Sequence, residues 1–166
     1  MKIAISVGSA YYDGSNWEDL VELVKFADRI GVDYAWSAEA WGMDAVTPLA
    51  YLAALTENIK LGTGIMQTSA RTPAAAAMTS LSMARLSNNR FVLGLGVSGP
   101  QVVEGLHGAP FDRPLGRLRE YIDIVRQGIG GERISIEGEH YVLPRPGGDG
   151  KALRLGMPPN PSIRIY

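Results

Sequence analysis

Residues 59–95 read IKLGTGIMQTSARTPAAAAMTSLSMARLSNNRFVLGL, and the order of patterns in this stretch decides the fold class. Ile59 to Ile65 is short, apolar and rich in β-formers, as a buried strand is. Thr72 and Pro73 then supply an N-cap and a first-turn proline for an alanine-rich helix through Met78, Leu81 and Leu86, which Asn88 and Asn89 end. Phe91 to Leu95 follows as an almost wholly apolar run. A buried strand, a helix and a second buried strand in immediate succession make a βαβ unit, whose two strands lie parallel.

The same unit recurs on both sides. Lys2 to Val7 (KIAISV) alternates as a strand and runs into a loop at Gly8. Asn16 can cap a helix that carries Glu18 and Asp19 in its first turn, apolar Leu20, Leu23, Val24, Ala27 and Ile30, and a stop at Gly31. Asp33 to Ser37 (DYAWS) is a second strand, followed by a loop from Glu39 to Ala45 and a helix from Pro48 through Leu49, Leu52, Ala53 and Leu55. Leu115, Leu118, Ile122, Val125 and Ile129 mark a fourth helix that closes at Gly128 to Gly131. Strands therefore begin near residues 2, 33, 59 and 91, a spacing that suits helical crossovers and leaves no room for separate domains, so the chain reads as one domain, 1–166. The pattern breaks at 132–143, where Ile134 to Leu143 (ISIEGEHYVL) reads as a β-hairpin insertion about Glu137-Gly138. A Pro/Gly-rich connection, 144–161, leads to Ser162 to Tyr166 (SIRIY), the opening of a further strand.

Composition bounds the function. The 166 residues are 46% hydrophobic and 20% charged, enough to bury a core and to exclude a disordered chain. Sixteen basic against seventeen acidic residues leave a formal charge of -1, which gives no electrostatic drive toward nucleic acid or an anionic membrane. No apolar run reaches the roughly 18 residues of a membrane span. The absence of cysteine excludes disulfides, thiolate zinc sites and a cysteine nucleophile, and makes the reducing cytoplasm the expected compartment. The two histidines, His107 and His140, stand far apart and at no metal-ligand spacing, so no metal site is expected.

In parallel α/β architectures ligands bind at the carboxyl ends of the strands. Four segments qualify here: Ser6 to Ser9, Ser37 to Trp41, Gly62 to Gln67, and Gly94 to Pro100. Gly62 and Gly64 permit close backbone approach to a ligand or a tight turn. GLGVSG at 94–99 satisfies G-x-G-x-x-G, and its amides could cradle a phosphate. A dinucleotide fold would need an acidic residue about 20 positions on at a strand end, whereas that place falls in the fourth helix among Arg117, Arg119, Glu120 and Asp123, which disfavours NAD. Glu39 is the candidate acid or base, in an apolar setting, with a helix-capping role as its alternative. His107 either contacts a ligand or finishes a turn, and His140 reads as structural. Arg113, Arg117 and Arg119 read as a solvated helix face that an anionic tail could also use. Trp36, Trp41, Tyr11, Tyr12 and Met66 are candidates to stack on a flat ring, with an ordinary core or loop role as the alternative for each.

The strings AWSAEAWGMDAVTPLAYLAALTENIKLGTGIMQTSARTPAAAAMTSLSMARLSNNRFVLGLGVSGPQVVEGLHG (35–108), RLREYIDIVR (117–126) and GEHYVLP (138–144) resemble the luciferase-like monooxygenase superfamily, in its coenzyme F420-dependent oxidoreductase branch. The resemblance implies an α/β fold that is the N-terminal half of a (β/α)8 TIM barrel, since a complete barrel needs about 250 residues. It implies a bulge after the third strand with a non-prolyl cis peptide at Gly64-Ile65, backing a deazaflavin ring. By this resemblance Glu39, Thr63, Gly64, Ile65 and Met66 surround the ring, and Gly96, Val97, Ser98 and Gly99 hold the phosphate-bearing tail; Ser6 joins the ring set from its strand-end place, and Glu39 and His107, the latter from its place after the glycine loop, are the catalytic candidates. The cofactor is coenzyme F420, with FMN as the alternative through the related luciferases. The sugar-phosphate dehydrogenases of the family carry a histidine directly after the acidic residue, where Ala40 stands here. The implied activity is hydride transfer to or from a small organic molecule by a homo-oligomer. A catalytically silent half-barrel that self-associates through its open strand edges is the alternative.

Overall fold

The computed structural model describes residues 1–7 and 16–166. In chain order its elements are β1 (Ala4–Ser6), α1 (Trp17–Arg29), β2 (Tyr34–Ser37), α2 (Thr47–Ala53), β3 (Lys60–Thr63), β4 (Met66–Gln67), α3 (Pro73–Leu86), β5 (Phe91–Val92), β6 (Leu95–Gly96), α4 (Pro100–Val103), α5 (Pro114–Gly130), β7 (Ile136–Glu137) and β8 (Val142–Leu143). These residues cluster into two compact units, one comprising Met1–Gln67, Met83–Leu95 and Arg164–Tyr166, the other Thr68–Ser82 and Gly96–Ile163.

The first unit is a parallel sheet in the order β1-β2-β3-β5. Ala4 pairs with Tyr34, Tyr34 with Lys60, and Leu61 with Phe91. Leu93 bridges Ile165 in the same parallel sense, so the expected fifth strand begins where SIRIY places it. Neighbours in this sheet are joined through helices, as parallel pairing requires. Asn16 caps α1 by accepting from the Glu18 amide, and Leu20, Val24 and Ala27 are buried. Leu23 and Ile30, expected on the apolar stripe, are instead exposed, and Ile30 lies past the last residue of α1, at its C-cap.

Two side chains fix how the helices of this unit meet its strands. Asp28, at the end of α1, accepts from the amides of Glu57 (2.9 Å), Asn58 (2.8 Å) and Ile59 (2.6 Å), the three residues that lead into β3. Burial pushes the Asp28 carboxyl up, but these three bonds, with help from the Arg90 charge, outweigh it and hold the group below its usual range. Arg90, just before β5, donates to the carbonyls of Ala53, Thr56, Ile59 and Ser87 and to the Thr56 hydroxyl. One guanidinium thus ties the end of α2, the end of α3 and the start of β3.

In the second unit α5 buries Tyr121, Ile124, Val125 and Ile129 and ends at Gly131, whose φ of 78° is the left-handed cap glycine allows. The expected hairpin is present, with Ile136 opposite Leu143 and Glu137 opposite Val142. Its turn runs from Gly138 to Tyr141, longer than a two-residue turn at Glu137-Gly138. The physical reason is Glu120 on α5, which accepts from the amides of Glu139, His140 and Tyr141 and so spreads the turn over its carboxylate.

Two runs that read as single strands are broken. β3 stops at Thr63 and the chain resumes as β4 only after Gly64 and Ile65. Phe91 to Leu95 is interrupted at Gly94, whose carbonyl accepts from the Thr63 hydroxyl (2.8 Å) while its amide donates to the same oxygen (2.9 Å). The Thr63 side chain occupies the place of a ladder bond. The short α4 has no counterpart among the sequence expectations.

Candidate functional site

The carboxyl ends of the parallel strands lie at one edge of the first unit. Ser6 is exposed there, Gly64 is exposed and Ile65 is half-buried. The Gly64-Ile65 peptide bond is cis, as the resemblance implies. This step is pinned to the end of β2 on both sides: the Gly64 amide donates to the Ser37 carbonyl (2.7 Å), and the Ile65 carbonyl accepts from the Glu39 amide (3.1 Å). A Cβ on Gly64 would lie 3.5 Å from the Trp36 ring, an ordinary contact, so packing does not demand glycine at this position.

Gly62 and Gly94 differ from Gly64, and here the expectation of ligand approach is corrected. Gly62 sits opposite Trp36 in the sheet register, and a side chain at 62 would enter the indole. Trp36 itself stacks on Tyr34 at 5.4 Å and meets the edge of Tyr166 at 6.4 Å. At Gly94 a Cβ would fall on the Thr63 carbonyl oxygen. Both glycines make room for protein atoms. Thr63 and Met66 are fully buried, so they support the step from beneath and present no side-chain atom to a ligand.

Glu39 is half-buried, and its carboxylate accepts from the amides of Gln67 (2.9 Å) and Ala45 (3.3 Å). The Gln67 side-chain amide donates back to the carbonyls of Glu39 and Ala40, both at 2.9 Å. The loop carrying Glu39 is thereby locked to β4. Sequence reasoning missed Gln67, because no local pattern links it to a residue so far back in the chain. Its Oε1 is buried without a hydrogen-bond partner.

In the second unit Gly96, Val97, Ser98 and Gly99 are all half-buried. The Gly96 carbonyl accepts from the Thr68 amide (3.0 Å) and hydroxyl (3.3 Å). Ser98 has φ of 58°, a left-handed conformation that non-glycine residues rarely adopt. GLGVSG leads directly into α4. The helix it opens is a single turn, Pro100 has no N–H, and the amides of Val102 and Val103 already donate to the Gly99 carbonyl.

The same unit contains a cleft of about 290 Å³ with Val97, Val103 and Phe111 among its apolar walls and Arg71, Arg117 and Tyr141 among its polar ones. The Arg117 guanidinium lies 6.0 Å from the Tyr141 ring centre, a cation–π distance, and burial pushes the Tyr141 hydroxyl up against the opposing pull of Arg117. Arg117 Nε and Ser69 Oγ are buried without hydrogen-bond partners. The arginine cluster read as one solvated face is therefore split: Arg113 pairs with Glu139 and Asp112, Arg119 is exposed, and Arg117 turns to the cleft.

His107 is exposed, and it is not among the residues that line this cleft. His140 is half-buried against Gly116 and donates its amide to Glu120, in keeping with a structural role. Trp41 is exposed. Tyr11, Tyr12 and the start of the first loop at Gly8 lie outside the described residues. Among the described residues no cluster of His, Asp and Glu could hold a metal ion, and no helix is long and apolar enough to cross a membrane.

Comparison with known proteins places this geometry in context. The family model for luciferase-like monooxygenases matches residues 1–164. A candidate coenzyme F420-dependent oxidoreductase of Mycobacterium tuberculosis is 48% identical over 159 residues, covering 93% of this chain and 45% of the relative. The 5,10-methylenetetrahydromethanopterin reductase of Archaeoglobus fulgidus is 30% identical over 160 residues, covering 96% of this chain and 46% of the relative. Among solved structures, the coenzyme F420-dependent tetrahydromethanopterin reductase of Methanopyrus kandleri superposes with a TM-score of 0.79 at 21% identity, over 99% of this chain and 49% of that one, a likeness of fold. The chain spans about half the length of the curated relatives it matches. Its fold is the α/β architecture of the first half of a (β/α)8 barrel.

Proposed function

The chain belongs to the luciferase-like monooxygenase family, and from that membership we propose that it forms the N-terminal half of an oxidoreductase moving a hydride between coenzyme F420 and a small organic substrate. The observation that carries this reading is the 48% identity, over nearly the whole chain, to a relative named for that cofactor. The strand-end edge fits a flat ring. Gly64 offers an exposed backbone with no side chain, although packing would admit one, and Ile65 beside it is half-buried. An unhindered backbone shelf of this kind lets an aromatic face approach closely.

When bound, a deazaflavin supplies a ring carbon that accepts or gives up a hydride. The work of this chain is then to bind and orient. Ser6, Gly64 and Ile65 would carry the ring, supported from below by Thr63 and Met66. Glu39, held in place by Gln67, would stand at the ring or substrate edge. Gly96, Val97, Ser98 and Gly99 would hold the tail, and His107 would meet the substrate only from an exposed position. The cysteine-free sequence suits the cytoplasm, and the outer edge of β1 suits assembly with a further strand, as in a homo-oligomer.

The test is a fluorescence titration of the chain with oxidised coenzyme F420 and, separately, with FMN. Saturable F420 binding, weakened about tenfold or more in Gly64→Ala while the thermal midpoint stays within about 2 °C of the parent, is the expected result. Failure of F420 to bind at high micromolar concentration to a folded sample, or preferential binding of FMN, would overturn the cofactor assignment.

A further inference from the structure

We propose that the sheet face of the first unit that carries Lys2, Lys60 and Arg164 is closed by a polypeptide strand that sets a carboxylate side chain among these three cations. The register of the sheet brings the three together. Tyr34 stands opposite both Ala4 and Lys60, Leu61 opposite Phe91, and Leu93 opposite Ile165. Counted along that register, Lys2 lies two residues nearer the amino end than Lys60, and Arg164 two residues nearer the carboxyl end. A (β/α)8 barrel closes with a shear of about 8, a slip of about one residue per strand, and its interior is filled by layers of four side chains from alternate strands. Members of one layer are therefore offset by about two residues from each strand to the next but one. Lys2, Lys60 and Arg164, on the first, third and fifth strands, have that offset. The fourth place in their layer belongs to a seventh strand.

The side chains confirm the grouping. Lys2 Nζ donates to the Tyr34 hydroxyl (3.5 Å) and lies 5.5 Å from the ring centre, while Lys60 Nζ lies 5.4 Å from the same centre. Burial pushes the Tyr34 hydroxyl up, but the Lys2 hydrogen bond and the charges of Lys60, Lys2 and Arg164 outweigh it and hold the group below its usual range. Among the described residues none of the three cations forms an ion pair, and the strand positions that alternate with theirs hold no Asp or Glu on this face. The nearby Asp33 accepts from the Ile3 amide. With Lys2 and Arg164 exposed, water compensates the charge. The interior of a closed barrel is packed side chains, where a charge needs a partner. A second copy closing face on face would add only the same three cations, so the strand that closes this layer has another sequence and carries Asp or Glu in the fourth place. The layer lies at the amino ends of the strands, opposite the Gly64 edge, and does not depend on the cofactor assignment.

The probe is propionate, the glutamate side chain as a free acid, added to the full chain at constant ionic strength and followed by carbon NMR at the Tyr34 ring and Lys60 Cε. Saturable shifts at both, half-complete between about 1 and 20 mM, are expected, with propionamide at the same concentrations inert. Lys60→Gln should weaken the response about fivefold or more, the range for loss of one charge-assisted contact. Arg164→Gln, a change at an exposed position, should do the same at Tyr34 and serves where Lys60→Gln fails to fold. No saturable shift up to about 200 mM, an equal response to propionamide, or unchanged affinity in a folded variant would overturn the proposal. Succinate or inorganic phosphate half-saturating below about 0.1 mM would also overturn it, by making the layer a site for a free anion. Propionate shifts in a protein that ignores coenzyme F420 would uphold the layer and count only against the cofactor assignment.

Discussion

Replacing Asp28 by alanine removes the acceptor for three consecutive amides that lead into β3. The Ile59 amide is buried and loses its only acceptor, a cost of roughly 1–3 kcal/mol, whereas those of Glu57 and Asn58 are part-buried and each forfeits about 0.5–1.5 kcal/mol net, because water can replace the carboxylate. The sum is about 4 kcal/mol. For a chain of this length that corresponds to a fall in thermal midpoint of about 8–16 °C, read by circular dichroism at the helix band. Asp28→Asn is the control. Its carbonyl can retain the bonds to Asn58 and Ile59, which share Oδ1, so it should lose only about 1 kcal/mol. The folded carboxyl sits below the ordinary aspartate value of 3.8, so the stability it adds is complete at neutral pH and is lost as pH falls below about 4. The parent should therefore lose stability in that range more steeply than Asp28→Asn. An Asp28→Ala midpoint within about 2 °C of the parent would refute the reasoning, by showing that the β3 entry does not depend on this carboxylate.

Further expectations follow from other joints. Gly94→Ala drives a methyl onto the Thr63 carbonyl and should cost roughly 1–3 kcal/mol or more in a denaturant titration, in contrast to the near-neutral Gly64→Ala. Glu120→Ala should free the hairpin turn, seen as faster amide hydrogen exchange at Glu139, His140 and Tyr141 with little change at Asn58 and Ile59. Among the described residues β1 pairs only with β2, so the chain in isolation should self-associate through its outer edge. Light scattering that shows a monomer at about 100 μM would count against that edge as an assembly surface.

The parallel sheet was legible because its strands are short apolar runs at nearly even spacing, each followed by a helical period. The breaks within those runs were not, since Gly64, Ile65 and Gly94 look like strand residues until the Thr63 hydroxyl is seen taking the place of a backbone partner. The glycine-rich ends carried a mixed signal. Gly64 lies open at the edge, but Gly62 and Gly94 exist to clear Trp36 and Thr63, a distinction that only the register across strands reveals. Glu39 was conspicuous in its apolar surroundings, whereas its keeper Gln67 was not, because the two meet only after a full βα crossover. Arg117 read as one of a solvated trio. Its separation from Arg113 and Arg119 depends on a hairpin that brings Tyr141 back to α5.

The central claim is that the step at Gly64 and Ile65 receives the cofactor ring, and amide NMR with coenzyme F420 tests it most directly. The account predicts large, saturable shifts of the Gly64 and Ile65 amides with those of Asn58 and Ile59 unmoved. F420 binding that leaves Gly64 and Ile65 unchanged would contradict it.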